Sequence, residues 1–157
     1  QVNTSGLSRI ASYVGNVQPV ATIQDAAEAI RATNGAVFPD RLDDDSFWIA
    51  FARRTFRARD DGQFELDYDP HIALAFADFD PDAPAPDLMP YFQMLAKTPV
   101  LSVRGEHSDI LTLEGVARMR TAGDTIEAVT IEGVGHAPML DEPDAWDAIL
   151  DFLARVE

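Results

Sequence analysis

The chain has 157 residues, and its 46% of hydrophobic residues is enough to build the core of a globular fold. Its 27 acidic and 12 basic side chains give a net charge of −15, which would repel nucleic acids and anionic membrane surfaces. It has no cysteine, which excludes disulfide bonds and thiolate metal ligands, and no apolar run approaches the ~20 residues that cross a bilayer.

The first part of the chain is predicted to be helical after an irregular start. Residues 1 to about 20 are rich in turn formers, show little periodicity and indicate a connecting segment. A helix is expected from Thr22, which would cap it, to Asn34-Gly35, where a left-handed residue would end it. A second helix is predicted over residues 45–59. Its apolar face would consist of Phe47, Trp48, Phe51 and Phe56.

The middle of the chain contains a turn, a short extended segment and a linker. The turn at residues 60–62 precedes an alternation of apolar and polar residues over 64–68. Residues 78–87 hold too many prolines for regular structure and are predicted to be a linker. The Asp-x-Asp-x-Asp spacing within it lacks the Gly and Glu that a calcium loop requires, so we expect a solvated acidic segment there. A helix is predicted over residues 88–96.

The last 60 residues alternate between strand and helix. Strands are predicted at 99–103 and 125–131, and helices at 113–120 and 143–156. Strand, helix, strand, helix at these lengths predicts a parallel sheet, with the apolar stripe of the last helix packed on it. Two parallel strands leave unpaired edges and an apolar face, so the sequence predicts that further strands accompany them.

Two turns of this region carry residue types suited to proton transfer. Asp109 follows the first of these strands, and His136 follows the second in Gly133-Val134-Gly135-His136. Ligand and active sites of parallel sheets lie beyond the carboxyl ends of the strands, so both side chains are expected at one edge. An imidazole takes a proton from a nucleophile when an acceptor holds its other ring nitrogen. We therefore predict His136 as a general base and Asp109 as its orienting acid.

These motifs resemble the acid and base turns of the α/β-hydrolase superfamily, in its cap-bearing branch. The stretches at 61–72 and 87–92 are similar to those between the cap helices and the acid strand of that family. The resemblance implies an α/β fold in which the last two strands of the hydrolase sheet, with flanking helices, follow a helical cap. The implied parts are a connection from a missing N-terminal core (1–17), the cap (18–75), a linker and returning helix (76–97) and the C-terminal core (98–157).

The family's nucleophile elbow, G-x-S-x-G, does not occur in this chain. The resemblance therefore implies a nucleophile on another segment, and we expect this chain alone to be inactive. The implied function is hydrolysis of small carboxylic esters, lactones or related carbonyl compounds by a nucleophile–His–Asp triad. Relatives that hydrolyse carbon–carbon bonds, epoxides or haloalkanes differ at the elbow, so these three reactions stay open as alternative functions. So does a non-catalytic binding protein on the same scaffold.

Other polar residues near the two turns have structural explanations. Glu106 is a second candidate acid, although it belongs to the turn that ends the strand. His107 is expected to face solvent, and Arg104 is expected to form a structural ion pair. His71 is predicted to be hydrogen-bonded rather than part of the substrate pocket.

The expected partners follow from the same resemblance. They are a small-molecule substrate and the missing N-terminal core, with no metal or organic cofactor, nucleic acid or membrane, and with homo-oligomerisation left open. Three aromatic residues are predicted either to line the substrate pocket or to form the core of the cap: Phe47, Trp48 and Phe51. We expect a cytoplasmic location, although the composition does not exclude export of a processed chain.

Overall fold

A computed structural model describes residues 3–15, 18–84 and 86–156. Parts of the predicted 1–17 connection and residue 85 of the predicted linker lie outside the described residues. The chain forms two compact units. We refer to residues 7–81 as the helical unit, and to residues 82–156 together with 3–6 as the sheet unit.

The described residues of the helical unit form three α-helices, three short 3₁₀ helices and a small hairpin. Its α-helices are α1 (Thr4–Tyr13, from Leu7 onward), α2 (Ile23–Asn34) and α3 (Asp45–Thr55). The hairpin strands are β1 (Phe56–Ala58) and β2 (Phe64–Leu66), and 3₁₀ helices lie at Gly35–Val37, Pro39–Arg41 and Pro70–Phe76. Helix α1 lies in the segment that was predicted to be a connection, because the Thr, Ser and Gly residues in it are typical turn formers.

Helix α2 begins at the predicted cap. The Thr22 hydroxyl accepts a hydrogen bond from the Asp25 N–H (3.1 Å), and the Asp25 carboxylate accepts one from the Thr22 N–H (3.0 Å). This reciprocal capping box satisfies two of the amides that a helix start leaves unpaired. The predicted left-handed ending is wrong, since Gly35 has φ −57° and continues into a 3₁₀ turn.

Helix α3 is shorter than predicted. It begins after Asp44, whose carboxylate accepts a hydrogen bond from the Phe47 N–H (3.0 Å), and it ends at Thr55 rather than near residue 59. Phe56 instead starts β1 and pairs with Leu66 of β2 in an antiparallel register. The predicted turn at 60–62 closes this hairpin, with Gly62 at φ +82°. An aromatic residue fits a strand as well as a helix, and its cross-strand partner decides the outcome.

The sheet unit has the predicted alternation of elements. In chain order they are α4 (Met89–Leu95), β3 (Val100–Gly105), α5 (Leu113–Arg120), β4 (Ile126–Ile131) and α6 (Pro143–Val156). Strands β3 and β4 are parallel, in a register that runs from Val100 opposite Ile126 to Gly105 opposite Ile131. The predicted α/β class is therefore confirmed, and both strands end at the same edge.

Helix α6 packs against β3 and β4 but leaves much of its apolar face uncovered. Ala145 is fully buried, whereas Trp146 is 54% exposed, Leu150 47% and Leu153 49%. The prediction that this stripe packs on a sheet is thus met only in part within this chain. Among the described residues, no helix combines the length and the apolar character needed to cross a bilayer.

Candidate active site

The parallel register brings the turns after β3 and β4 into direct contact. The Glu106 N–H donates to the Ile131 carbonyl (2.8 Å), and the His107 N–H donates to the Val134 carbonyl (2.9 Å). These two bonds continue the pairing of the strands beyond their ends. The turn that holds Asp109 is therefore fixed against the turn that leads to His136.

Glycines make this close approach of two backbones feasible. A Cβ atom on Gly105 would lie 2.0 Å from the Gly135 carbonyl oxygen and 2.6 Å from that of Val134, so a side chain does not fit there. Gly133 has φ +69°, a left-handed conformation that glycine adopts without strain. The backbone before His136 therefore turns tightly at Gly133.

Glu106 supports the second turn. Its Oε2 accepts a hydrogen bond from the Gly133 N–H (3.0 Å). Glu106, the second candidate acid predicted from the sequence, thus stabilises the backbone of the turn that leads to His136. This contact gives Glu106 a structural role.

Arg104 stabilises the first turn from inside the protein. It is buried, and its Nε and Nη2 donate to the carbonyls of Leu111 (2.7 Å) and Glu106 (3.0 Å). In the contacts that the structure describes, Arg104 makes these two hydrogen bonds to carbonyl oxygens instead of the predicted ion pair. Because one guanidinium binds both ends of the 106–111 turn, it holds that turn closed.

Ser108 links the first turn to the ring of His136. Its Oγ accepts hydrogen bonds from the Leu111 N–H (3.0 Å) and the Ile110 N–H (3.4 Å), and it lies 3.2 Å from His136 Nδ1. Ser108 was not predicted as a site residue. The only signal for it was a hydroxyl immediately before the predicted acid, in a turn already assigned to the site.

Asp109 is the next residue and is half-buried, while His136 lies at the surface. The first residues of the sheet unit pack against the backbone at Asp109: a Cβ atom on Gly6 would lie 2.4 Å from the Asp109 carbonyl oxygen. The Asn3 N–H also donates to the Ile110 carbonyl (3.1 Å). The start of α1 therefore packs against the turn that contains Asp109 and supports its backbone. The pairing of Asp109 with His136 stays a prediction.

A cavity of about 210 Å³ lies beside the acid turn within the sheet unit. Its lining is largely apolar and includes Leu88, Met89, Phe92, Ile110, Leu111 and Met119. Since Ile110 and Leu111 also donate to Ser108, the wall of this cavity is continuous with the turn that contacts His136.

The aromatic residues proposed as pocket lining lie in the helical unit and differ in exposure. Trp48 is fully buried beside Phe38, Phe47 and Phe51, and its Nε1 donates to the Arg41 carbonyl (2.8 Å). Trp48 is therefore a core residue in this structure and has no surface available to a ligand. Phe47 is half-buried in the same cluster, and Phe51 also lines a second cavity of about 210 Å³.

The side chains of the remaining two histidines have other surroundings. His107 is exposed, as expected. The Nδ1 of His71 lies 2.7 Å from Asp69 Oδ1, and hydrogen bonds from the His71 backbone and ring hold the pKa of Asp69 below its usual value. His71 is thus hydrogen-bonded at the surface, as predicted. Across residues 3–15, 18–84 and 86–156, no group of three or more potential ligands is arranged to bind a metal ion.

Comparison with known proteins identifies the class of fold. No family model matches the chain. A 3-hydroxybutyrate-oligomer hydrolase from Cupriavidus necator is 30% identical over an alignment of 145 residues, which covers 88% of this chain and 48% of the relative. An α/β hydrolase of known structure from Novosphingobium aromaticivorans is 38% identical, with a TM-score of 0.87 over 99% of this chain and 54% of that one.

An esterase from Mycobacterium tuberculosis shares the fold, with a TM-score of 0.64 at 21% identity over 99% of this chain and 52% of that one. The resemblance drawn from the two motifs is therefore confirmed: the chain has the fold of the C-terminal part of an α/β-hydrolase, and these relatives are hydrolases and esterases. It spans about half the length of the proteins it matches.

Proposed function

We propose that this chain supplies the general base and the orienting acid of an α/β-hydrolase that cleaves small carboxylic esters. In this proposal His136 is the base, Asp109 is the acid, and the nucleophile comes from an N-terminal core segment on the same or another polypeptide. The helical unit serves as the cap domain. We call the assembly of this chain with that segment the intact protein.

The contact between the two turns is the observation that carries the proposal. It presents an imidazole at the carboxyl edge of a parallel sheet, in reach of the turn that contains Asp109. This edge is where α/β folds bind their ligands. A base there needs its ring held in one orientation, and the bonds through Glu106, His107 and Ser108 fix the backbone and the ring.

The chemical steps follow from the roles assigned to the two residues. The nucleophile's hydroxyl proton passes to His136 Nε2 as its oxygen attacks the ester carbonyl, and the imidazolium returns that proton to the departing alkoxide. Water then repeats the sequence on the acyl intermediate. Asp109 stabilises the imidazolium in both halves by accepting a hydrogen bond from Nδ1.

The curated relative suggests which esters to test first. Its name states that it hydrolyses oligomers of 3-hydroxybutyrate, in which successive units are joined by ester bonds. We therefore propose short oligoesters of a hydroxy acid as the substrate class. The cavities of about 210 Å³ would suit short apolar segments.

Ser108 is not proposed as the nucleophile, although it is close to His136. Its oxygen already accepts two backbone hydrogen bonds, which reduces its availability for attack. The imidazole nitrogen beside it is Nδ1, whereas the proposed base takes the nucleophile's proton at Nε2. A fluorophosphonate probe should accordingly label a serine outside this chain. Labelling of Ser108 itself would contradict this assignment.

The assay for the proposal is turnover of a chromogenic short-chain ester and a 3-hydroxybutyrate dimer by the intact protein. We expect His136→Ala to lower kcat/KM by about 10³-fold or more, because general acid–base catalysis typically contributes 10²–10⁴-fold. His107→Ala is the matched control, since it removes an exposed imidazole from the neighbouring turn. Equal turnover in the wild type and His136→Ala would refute the proposal.

The chain alone should show no turnover in the same assay, since it contains no elbow sequence. The cytoplasmic location expected from the sequence also stays a prediction, which cell fractionation would test.

A further inference from the structure

The second cavity of about 210 Å³ has a lining that comes from the helical unit, and we call it the helical-unit pocket. Helices α1, α2 and α3 and both hairpin strands contribute to its wall, which is largely apolar and includes Ile30, Phe51 and Leu66. Each described lining residue is buried or half-buried. The wall is therefore a concave surface between packed elements and not a patch on the outside of the unit.

The helical-unit pocket is uncharged. None of the lining residues that the structure describes is acidic, basic or histidine, although 25% of the residues of the chain are charged. A charged ligand would lose its hydration in such a pocket without gaining an ion pair. The pocket therefore selects against charged molecules.

Two hydroxyl groups of the lining are suited to accept a hydrogen bond. The Thr33 hydroxyl donates its hydrogen to the Ala29 carbonyl and the Thr55 hydroxyl donates to the Phe51 carbonyl, each at 3.0 Å. Because a hydroxyl also has two acceptor lone pairs, both oxygens can still accept a hydrogen bond from a ligand. Apolar walls with a few fixed polar groups are typical of small-molecule sites.

The volume of the pocket sets the size of the ligand. An apolar cavity of about 150 Å³ holds one benzene molecule, so about 210 Å³ suits a benzene ring with a short substituent. We propose that the helical-unit pocket binds a small uncharged molecule that has an apolar body and one hydroxyl group, as a substituted phenol has. This inference concerns binding and not turnover, so it does not depend on the proposed ester hydrolysis.

The two tryptophans of the chain report where such a molecule binds. The Trp48 ring stacks on Phe51 of the pocket wall, with ring centroids 6.2 Å apart and an interplanar angle of 11°. Trp146 is 54% exposed on the apolar face of α6, which is the rival surface for an apolar probe. Trp146→Phe assigns the two indole N–H signals in a ¹H–¹⁵N spectrum.

The probe is 4-ethylphenol, titrated into the ¹⁵N-labelled 157-residue chain. We expect a saturable displacement of the Trp48 indole signal at concentrations that leave the Trp146 signal in place. Displacement of the Trp146 signal alone, or no saturable change at Trp48 up to the solubility limit of the probe, would overturn the inference.

A larger side chain in the pocket should exclude the probe. Ala29 belongs to the lining, and Ala29→Leu should weaken binding of 4-ethylphenol by about tenfold or more, because the added atoms and the ligand compete for the same space. Ala32→Leu is the matched control, since Ala32 is exposed on the same helix. Equal affinity of the wild type and a folded Ala29→Leu variant would place the probe elsewhere. If Ala29→Leu does not fold, the wild-type titration decides.

The chemical class of the ligand has its own test. The carboxylate 4-ethylbenzoate should bind about tenfold or more weakly than 4-ethylphenol, since no cation in the described lining offsets its desolvation. The double variant Thr33→Val, Thr55→Val should lower the affinity for 4-ethylphenol severalfold and leave that for ethylbenzene nearly unchanged. Tight binding of the carboxylate, or equal losses for phenol and hydrocarbon, would contradict the proposed class.

The result is separable from the fate of the proposed function. Saturable binding at Trp48 together with ester turnover that is independent of His136 would leave the pocket in place and reject the catalytic assignment. Ester turnover that depends on His136, without any binding at Trp48, would reject the pocket alone.

Discussion

At the scale of single residues, Gly105 sets how closely the two turns approach each other. A Cβ atom there would meet the carbonyl oxygens of Gly135 and Val134, which belong to the backbone and have little freedom to move. We expect Gly105→Ala to lower the free energy of unfolding by about 3 kcal/mol or more, at or beyond the upper end of typical overpacking effects. Urea denaturation of the chain measures this.

Gly35→Ala is the control for that substitution. A Cβ atom on Gly35 would meet only the end of the flexible Leu42 side chain, and its backbone has ordinary helical angles. Gly35→Ala should therefore change the free energy of unfolding only slightly. If both variants lost the same stability, the close packing of the two turns would not be the reason that position 105 is glycine.

The residues of the candidate site were predictable to different degrees. Asp109 and His136 follow strands, so local pattern was enough to propose them. Ser108 was missed because its role depends on a ring 28 positions further along the chain and on two backbone amides after it. For Trp48 the sequence left a core position and a pocket position open, because a helical aromatic stripe has the same spacing in both, and the structure places Trp48 in the core.

At the scale of elements, the capping box makes the start of α2 testable. Thr22→Ala removes the acceptor of the Asp25 N–H and should cost about 1 kcal/mol of unfolding free energy. Thr22→Ser keeps the hydroxyl and should stay close to the wild type. An alanine variant as stable as the serine one would show that the cap contributes nothing measurable.

Elements with local signals were predicted well, and elements that depend on distant partners were not. The cap at Thr22 and the strand–helix alternation after residue 98 are local properties, and both are present. The end of α3 was misplaced because Phe56 leaves the helix to pair with Leu66, ten positions later. Propensity alone does not decide between helix and strand for such a residue.

At the scale of the whole molecule, the uncovered face of α6 indicates a surface that the intact protein would cover. Trp146, Leu150 and Leu153 are about half exposed in a chain that spans about half the length of its relatives. The proposed N-terminal core would bury them, since large apolar patches mark interaction sites.

An apolar fluorescent dye tests this expectation. The isolated chain should bind the dye, and Leu150→Glu should reduce the signal severalfold, whereas Leu113→Glu, which replaces an exposed leucine of α5 instead of α6, should change it little. The intact protein should bind little dye. Equal dye binding by the isolated chain and the intact protein would contradict a covering segment.

The proposed catalysis depends most on Asp109 and His136 acting as one unit, and a double-mutant cycle in the intact protein tests this directly. Groups that act as a unit have strongly non-additive effects on turnover. We predict that Asp109→Ala lowers kcat by about 10²–10⁴-fold, and that it costs almost nothing further when His136 is already alanine. If the two losses multiplied in the double variant, the two residues would act independently and the proposed pairing would be wrong.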